Sequence, residues 1–316
     1  MVSANIRYSG SNGPPMTRTE HQISFGPYTA IATARGGALR ELQHHGRDLV
    51  VGFGGSGSIP DYRGVICAPW PNRLADGRYR FDGKEFHAVV NEEERGTALH
   101  GLVFGAEWQL QEHTASSVRL GTRIEPSEGY PGRLDVSVEY DLRADGLHST
   151  VRAENVGVDA APYGVCPHPY LVAGTAPLDE WTVQIPATEF MEVSEDRLLP
   201  EGMACVEGHS FDFRTEKVLG AVEIDHAFTG LVTGADGLAA VRIHDPSGTG
   251  VELEWDKAWP WLQIHTADKP AGPSRLGLAV EPMTCPPDAF NSGTGVVRLA
   301  PGESHEAGWT IRAISR

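Results

Sequence analysis

Strict alternation of apolar and polar residues is the feature of this sequence that most constrains its fold. The segment LDVSVEYDL at 134–142 places an apolar residue at every second position. Because successive side chains of a β-strand point to opposite faces, this period of two predicts a half-buried strand. The same alternation recurs later and earlier in the chain, at 118–124, 181–185, 241–243, 251–255 and 309–313. Strands are therefore expected throughout the last two thirds of the sequence.

Turn-forming residues separate these runs. The chain has 37 Gly and 22 Pro among 316 residues, and Asp-Gly pairs lie at 82–83, 145–146 and 236–237. Asp-Gly favours the positive φ angles of tight hairpin turns, so 79–81 and 85–87 are expected to form one hairpin. We find no capped amphipathic helix longer than two or three turns, no repeat and no linker. The sequence predicts an all-β antiparallel sandwich that forms a single domain over 1–316.

Charge and composition exclude several functions. The 26 basic and 42 acidic residues give a net charge of −16, without a basic patch, so neither nucleic acid nor an anionic membrane is an expected partner. The start, 1–15, lacks the apolar run of a signal peptide, and no stretch approaches 18 apolar residues. Four cysteines lie far apart and suit a reducing compartment. We therefore predict a cytoplasmic protein.

One glycine-rich stretch has the form of a nucleotide-binding motif. Residues 52–57 read GFGGSG, which matches G-x-G-x-x-G. Pro60 follows too closely for a helix to begin where a phosphate would bind. We interpret the stretch as a flexible loop.

Four places combine polar side chains with apolar or proline-rich surroundings. Arg73 follows two prolines, His100 lies in an apolar run beside a glycine, His168 is flanked by prolines, and Glu281 ends an apolar strand-like run. A desolvated carboxylate has a raised pKa and can act as a base near neutral pH. Each also has a structural interpretation, as a surface arginine, a core histidine or a salt-bridged glutamate. The rigid turn downstream, at 286–291, would either hold the glutamate in place or use its polar groups only to cap its own loop.

The sequence alone leaves two other functions of these residues open, metal binding and nucleophilic catalysis. His168, Cys166 and Cys285 would form a soft metal site if the fold brought them together, although their spacing matches no usual ligand pattern. A serine nucleophile has no G-x-S-x-G elbow, and a cysteine nucleophile would be Cys166 or Cys285 with a nearby base.

Taken in order, five motifs resemble those of the aldose 1-epimerase (mutarotase) family, and the likeness spans about 25–313. The motifs are Pro71-Asn72-Arg73-Leu74-Ala75-Asp76-Gly77-Arg78-Tyr79, Leu99-His100-Gly101, His168-Pro169-Tyr170, Ile224-Asp225-His226-Ala227-Phe228, and Glu281 followed by Pro287-Asp288-Ala289. Each motif is short, but the occurrence of all five in the order found in the family makes the resemblance specific.

The resemblance implies a β-supersandwich with a sugar cleft on one face and no cofactor. It implies that Glu281 is the general base and His168 the general acid. It also implies a set of sugar-binding residues: Asn72, Arg73, His100, Tyr170, Asp225 and Gln263. The only partner expected is a small sugar, and the protein is expected to be a monomer or homodimer.

Interconverting two anomers requires one base and one acid. The base removes the proton of the C1 hydroxyl and the acid protonates the ring oxygen, so the ring opens, C1 rotates and both transfers reverse. We expect the two groups on opposite sides of the sugar. Reference pKa values of about 6.5 and 4.3 favour protonated His168 with ionised Glu281, which predicts a bell-shaped pH profile.

The sequence departs from many members of this family near the proposed site. Leu171 stands where Phe is common, and Met283 where Gln is common. These forms resemble a bacterial subgroup, some members of which are associated with sulfosugars, so the aldose is left open. Trp70, Trp259 and Trp261 would either stack on the sugar or pack in the core. A sugar phosphate is a further option, because three arginines lie close in sequence: Arg63, Arg73 and Arg78.

Two functions of other classes are weighed against this one. A glycoside hydrolase would use Asp225 and Glu281 as its two carboxylates. A non-catalytic sugar-binding or regulatory protein could share the fold, but the acid and base positions are both filled here.

Overall fold

A computed structural model describes residues 19–54 and 58–316. The polar start at 1–15 and residues 55–57 of the glycine-rich stretch lie outside the described residues. Within these ranges the chain is almost entirely β, with 27 strands. The strands are, in chain order, β1 (Glu20–Phe25), β2 (Tyr28–Thr33), β3 (Ala38–His44), β4 (Arg47–Asp48), β5 (Ile66–Cys67), β6 (Arg73–Ala75), β7 (Arg78–Phe81), β8 (Lys84–His87), β9 (Thr97–Leu99), β10 (Gln109–His113), β11 (Ser117–Ile124), β12 (Leu134–Arg143), β13 (Gly146–Asn155), β14 (Ala161–Tyr163), β15 (Cys166–Pro167), β16 (Tyr170–Leu171), β17 (Thr182–Gln184), β18 (Glu189–Val193), β19 (Pro200–Cys205), β20 (Lys217–Val218), β21 (Asp225–Thr229), β22 (Ala239–His244), β23 (Thr249–Trp255), β24 (Trp261–His265), β25 (Leu278–Met283), β26 (Val297–Leu299) and β27 (Ser304–Ser315).

Helical structure is scarce, as the sequence predicts. The described residues contain two 3₁₀ turns, Pro60–Tyr62 and Leu178–Glu180, and one short α-helix, α1 (Ala289–Ser292). Among these residues no helix has the length and apolar character needed to span a membrane.

Two antiparallel sheets dominate the architecture. The larger has nine strands in the order β10-β11-β12-β13-β27-β23-β22-β17-β20, and the second has six in the order β16-β25-β24-β21-β18-β19. A four-stranded sheet, β1 to β4, and several two-stranded pairs complete the fold. This arrangement confirms the predicted all-β sandwich.

Alternation in the sequence explains the large sheet. In β12 the apolar residues are buried and the polar residues between them are partly exposed, as 134–142 predicts. The turn at 145–146 joins β12 to β13, and 82–83 joins β7 to β8 in the predicted hairpin. Asp236-Gly237 is different, because it forms a turn within the loop before β22, closed by a bond from the Gly237 N–H to the Gly234 carbonyl.

The inner face of the nine-stranded sheet should carry much of the stability. Leu253 on β23 is completely buried between Val241 and Ile311 on its neighbouring strands. Removing a buried leucine side chain loses burial energy and leaves a cavity, so Leu253→Ala should lower the free energy of unfolding by about 2–5 kcal/mol in urea titration. Leu110→Ala on the edge strand β10, where the side chain is 48% exposed, should change it by less than about 0.5 kcal/mol. Equal effects would contradict this assignment of the core.

The register of the six-stranded sheet aligns several polar residues. Gln263 on β24 lies opposite Glu281 on β25, and His265 lies opposite Asp225 on β21. Because residues two apart on a strand share a face, these four side chains project from the same side of the sheet.

Candidate active site

A polar cavity of about 340 Å³ lies over this face of the six-stranded sheet. That volume is typical of a site for a small molecule. The cavity is lined by all eight residues singled out from the sequence: Asn72, Arg73, His100, His168, Tyr170, Asp225, Gln263 and Glu281. Residues separated by up to 209 positions in the sequence, from Asn72 to Glu281, are thus brought together.

Glu281 and Gln263 form the floor of the polar cavity. Both are almost completely buried, at 2% exposure each. The Gln263 Nε2 donates a hydrogen bond of 2.7 Å to Asp225 Oδ1 on the next strand. This bond fixes the Gln263 amide, and its Oε1 atom is left without a hydrogen-bond partner among the described residues.

His168 follows β15 and is held by its backbone. Its N–H donates to the Val65 carbonyl at 3.1 Å, and its carbonyl accepts from the Gly64 N–H at 2.8 Å. The imidazole stacks on Tyr170, with ring centroids 5.3 Å apart, and meets the edge of His100 at 5.0 Å. These contacts leave the ring with little freedom to rotate.

His168 Nε2 lies 3.4 Å from Glu281 Oε1. The expectation that acid and base stand on opposite sides of the sugar is therefore wrong. The physical reason is that the segment after β15, which carries His168, packs against β25, which carries Glu281, as the hydrogen bond from the Val280 N–H to the Pro169 carbonyl shows. Both groups can therefore exchange protons with two atoms that are bonded to the same carbon of a ligand.

Burial reverses the proton preference expected from reference values. Desolvation, followed by the charge of Asp225, raises the pKa of Glu281 well above its ordinary value, although Cys166 and Arg73 oppose the change. Desolvation, together with His265, lowers the pKa of His168 to about 3. Burial of the pair therefore favours the proton on Glu281 rather than on His168. The form with ionised Glu281 and protonated His168 contains the same number of protons as the form in which both are neutral. The singly protonated pair therefore persists over a wider pH range than the reference pKa values predict, and the acidic and basic limbs of the pH profile should lie further apart.

This shared proton predicts opposite pH dependences of stability for two variants. Between pH 4.5 and 6.5, the ordinary values of the two groups, the unfolded pair holds one proton, on His168. Burial favours that proton on Glu281 in the folded pair, so the pair adds little slope in the wild type. In Glu281→Gln, unfolding takes up a proton on His168, so stability should rise with pH. In His168→Gln, unfolding releases the Glu281 proton, so stability should fall with pH. Each slope should approach about 1.4 kcal/mol per pH unit relative to wild type.

Urea unfolding at several pH values in this window measures these slopes. Comparison with the wild type removes the contribution of other groups, such as His100, whose pKa burial also lowers. Slopes of the same sign in both variants would contradict the assignment of the proton.

Arg73 on β6 is fixed by two carboxylates. Its Nε and Nη2 atoms donate to Glu92 at 2.9 and 3.0 Å, and its Nη1 lies 3.7 Å from Asp225 Oδ2. Burial acts to lower the pKa of Arg73, but these carboxylates outweigh it and raise the pKa. For Asp225, burial acts to raise the pKa, and His265, Arg73 and Gln263 outweigh it and lower the pKa. A charged guanidinium and a charged carboxylate therefore line the cavity side by side.

Asn72 and His100 both have an unusual backbone conformation. Both have positive φ angles, 54° and 62°, and the His100 N–H donates to the Asn72 carbonyl at 2.9 Å. Gly101 comes next, with φ of 73°, and a Cβ at that position would lie 2.2 Å from the Ala68 carbonyl oxygen. Only glycine fits this close approach, which keeps the His100 loop against the loop before Asn72.

The turn containing Asp288 does not hold Glu281, contrary to one of the two interpretations of the sequence. Asp288 Oδ1 accepts hydrogen bonds from the Ala75 N–H at 2.9 Å and from Asn291 Nδ2 at 2.8 Å, and its N–H donates to the Arg73 carbonyl. The turn therefore fixes the strand of Arg73. Glu281 is fixed by its own strand, β25.

Four residues that line the polar cavity each carry a buried polar atom without a hydrogen-bond partner among the described residues. These atoms are His100 Nδ1, His168 Nδ1, Gln263 Oε1 and His265 Nδ1. Buried polar atoms are nearly always paired in folded proteins.

Several lining residues were missed from the sequence. His265 lies two positions after Gln263, so the alternation of β24 was a signal that could have identified it. Tyr62 and Glu92 lie in loops, where no periodicity exists to guide the interpretation. Asp61, Glu94 and Leu99 also line the cavity.

Other candidates from the sequence lie elsewhere or have other partners. Trp70, Trp259 and Trp261 are buried in the core and do not line the cavity. Arg63 pairs with Asp61 at 2.8 Å rather than facing the cavity. In the described ranges no three His, Cys, Asp or Glu side chains are grouped as metal ligands, and all four cysteines are unpaired.

Comparison with known proteins places these features in context. The model of the family described as Aldose 1-epimerase matches residues 21–312. The chain is 36% identical over 290 residues to the uncharacterized protein YihR of Escherichia coli K12, covering 92% of this chain and 91% of that protein. It is 30% identical over 296 residues to human galactose mutarotase, covering 85% and 84%.

Solved structures show the same fold. The GalM/aldose epimerase homologue of C. elegans aligns with a TM-score of 0.82 at 21% identity, covering 94% of this chain and 99% of that one. Galactose 1-epimerase from Lactobacillus acidophilus aligns with a TM-score of 0.79 at 18% identity, covering 94% and 95%.

Proposed function

Because this chain belongs to the aldose 1-epimerase family, we propose that it interconverts the α and β anomers of a free aldose. The observation that carries the proposal is the contact between Glu281 Oε1 and His168 Nε2, 3.4 Å apart and buried in the polar cavity. A carboxyl and an imidazole are the two proton-transfer groups that ring opening requires, without metal or nucleotide.

The proposed chemistry uses the closeness of this pair. The C1 hydroxyl oxygen and the ring oxygen are both bonded to C1, so an acid and a base that serve them must stand near each other. Glu281 takes the proton of the C1 hydroxyl, while His168 gives a proton to the ring oxygen, and the C1–O5 bond breaks. Rotation about C1–C2 presents the other face of the aldehyde. Reversal of both transfers returns the proton of Glu281 to the aldehyde oxygen and the proton of the O5 hydroxyl to His168. The ring closes as the other anomer, and the pair again holds its one proton.

Sugar binding should prepare the ionic form of the pair. Without a sugar contact, burial favours protonated Glu281 and neutral His168. A sugar hydroxyl that donates to Glu281 stabilises the carboxylate, and the ring oxygen accepts from protonated His168. Moving the proton from one residue to the other then needs no exchange with solvent.

The remaining lining residues are proposed to bind the sugar hydroxyls. Asp225 accepts hydrogen bonds from hydroxyl groups, and Arg73 donates them. Asn72, His100, Tyr170 and Gln263 complete the set of polar contacts. Because Asp225 is held by Arg73 and Gln263, we assign it to binding rather than to the second carboxylate of a hydrolase.

The test is anomer interconversion followed by polarimetry or exchange NMR. The panel contains glucose, galactose, a sugar phosphate and a sulfosugar, with the spontaneous rate of each as its baseline. The proposal requires acceleration of at least one aldose. Binding without acceleration of any sugar would instead support a non-catalytic sugar-binding protein of this fold.

The setting of this activity is also a proposal. We assign the protein to the cytoplasm, supported by its four unpaired cysteines. We further propose that the chain acts as a single domain, as a monomer or homodimer, with the sugar as its ligand.

A further inference from the structure

The two oxygens of the Glu281 carboxyl group have different surroundings. Oε1 faces His168, whereas Oε2 accepts a hydrogen bond from the thiol of Cys166, with a sulfur–oxygen distance of 3.7 Å. In the part of the chain that the structure describes, no other group donates a hydrogen bond to this carboxyl. Cys166 and Glu281 are both buried, at 0% and 2% exposure. The thiol is therefore the one fixed donor that the protein supplies to its proposed base.

Cys166 is held in place by the strands around it. It lies on β15, directly opposite Cys67 on β5. The two thiols interact, and burial raises the pKa of both, so that each keeps its proton at neutral pH. The protonated thiol of Cys166 is therefore available to donate to Glu281 Oε2.

We propose that Cys166 is a positioning residue for Glu281, whose thiol holds Oε2 so that Oε1 faces His168 and the C1 hydroxyl. The inference rests on the proposed function for its catalytic consequence. A thiol is a weak hydrogen-bond donor, so it orients the carboxyl without stabilising the charged form as strongly as a hydroxyl would. The base is thus held in position and keeps its basicity.

The other groups that face Glu281 do not replace this contact. His168 lies at Oε1, and Arg73 and Asp225 act on Glu281 through charge, with opposite signs. Gln263 is paired with Glu281 across the sheet, but its amide donates to Asp225. Removing the thiol therefore leaves Oε2 without a donor.

Two substitutions at one position test the proposal. Cys166→Ser supplies a stronger donor and should move the basic limb of the kcat/KM profile to lower pH by about one unit, because loss of the proton held by the pair becomes easier. Cys166→Ala supplies no donor and should move the same limb to higher pH and lower kcat. A merely structural cysteine would reduce the rate or stability in both variants without shifting the limb in opposite directions. If the basic limbs of the kcat/KM profiles of both variants coincide with that of the wild type, the proposal is overturned.

Cys285→Ser and Cys285→Ala are the matched controls. Cys285 is equally buried, at 0% exposure, and among the described residues the thiol that donates to Glu281 is that of Cys166, not that of Cys285. Its variants should keep the wild-type profile. Thermal unfolding of all four variants identifies any that fails to fold.

A second measurement separates this proposal from the proposed function. The infrared carbonyl stretch of protonated Glu281, identified by its loss in Glu281→Gln, needs no substrate. Its pH titration should shift down in Cys166→Ser and up in Cys166→Ala, even if no sugar in the panel is turned over. If sugars are turned over but this titration is the same in all variants, the positioning role is wrong and the epimerase activity stands.

Discussion

Glu281→Gln is expected to lower kcat for anomer interconversion by about 10³-fold or more, with the dissociation constant for the sugar changed only a few-fold. The amide keeps the shape and the hydrogen-bonding capacity of the side chain, so ground-state binding survives. It cannot accept the proton of the C1 hydroxyl, and a well-placed proton transfer contributes about 10²- to 10⁴-fold. Exchange NMR measures the rate, and titration calorimetry with the same sugar measures the affinity.

Glu192→Gln provides the matched control for this substitution. Glu192 lies on β18 of the same six-stranded sheet with its side chain exposed, so its variant should keep the wild-type rate. In Glu281→Ala, added formate should restore part of the activity, because a small carboxylate can enter the vacated space and act as base. Turnover by Glu281→Gln at the wild-type rate would show that Glu281 is not the base.

His168→Gln is expected to lower kcat by about 10²- to 10⁴-fold, again with binding largely retained. The amide can still donate a hydrogen bond to the ring oxygen, but it cannot transfer a proton to it. Because Glu281 and His168 share one proton, the double variant should be little slower than the slower of the two single variants. Effects of residues that act as a unit are not additive.

The control for His168 is His305→Gln. His305 lies on β27 of the nine-stranded sheet and does not line the polar cavity. Its variant should retain the wild-type rate. Double-variant losses that multiply fully, as for independent sites, would contradict a shared proton.

The strands were predictable from the sequence because their signal is local. Alternation in β12 requires only that neighbouring side chains point to opposite faces, and Asp82-Gly83 requires only that a hairpin turn has positive φ angles. Both effects act within a few residues. The pairing order of the two sheets depends on contacts between distant segments, which no local pattern records.

The candidate site was predictable in membership but not in chemistry. The five motifs supplied seven of the eight residues, the family resemblance added Gln263, and the structure brings all eight to one cavity. The proton preference of His168 and Glu281 follows from burial, a property of the assembled fold. The turn at 286–291 does not hold Glu281, because Asp288 accepts a hydrogen bond from the Ala75 N–H, a contact between segments distant in sequence. Tyr62 and Glu92 approach the cavity from loops, whose paths depend on the finished structure.

The division between sheet and loops in the polar cavity has a consequence for how new substrates arise. The atoms proposed to act at C1 belong to β25 and to the rigid segment after β15, whereas Tyr62, Glu92 and Glu94 reach the cavity from loops. Loops accept substitution and changes in length more readily than paired strands do. Aldoses that differ at carbons remote from C1 can therefore be accommodated by changing the loops, while the reaction centre is inherited intact.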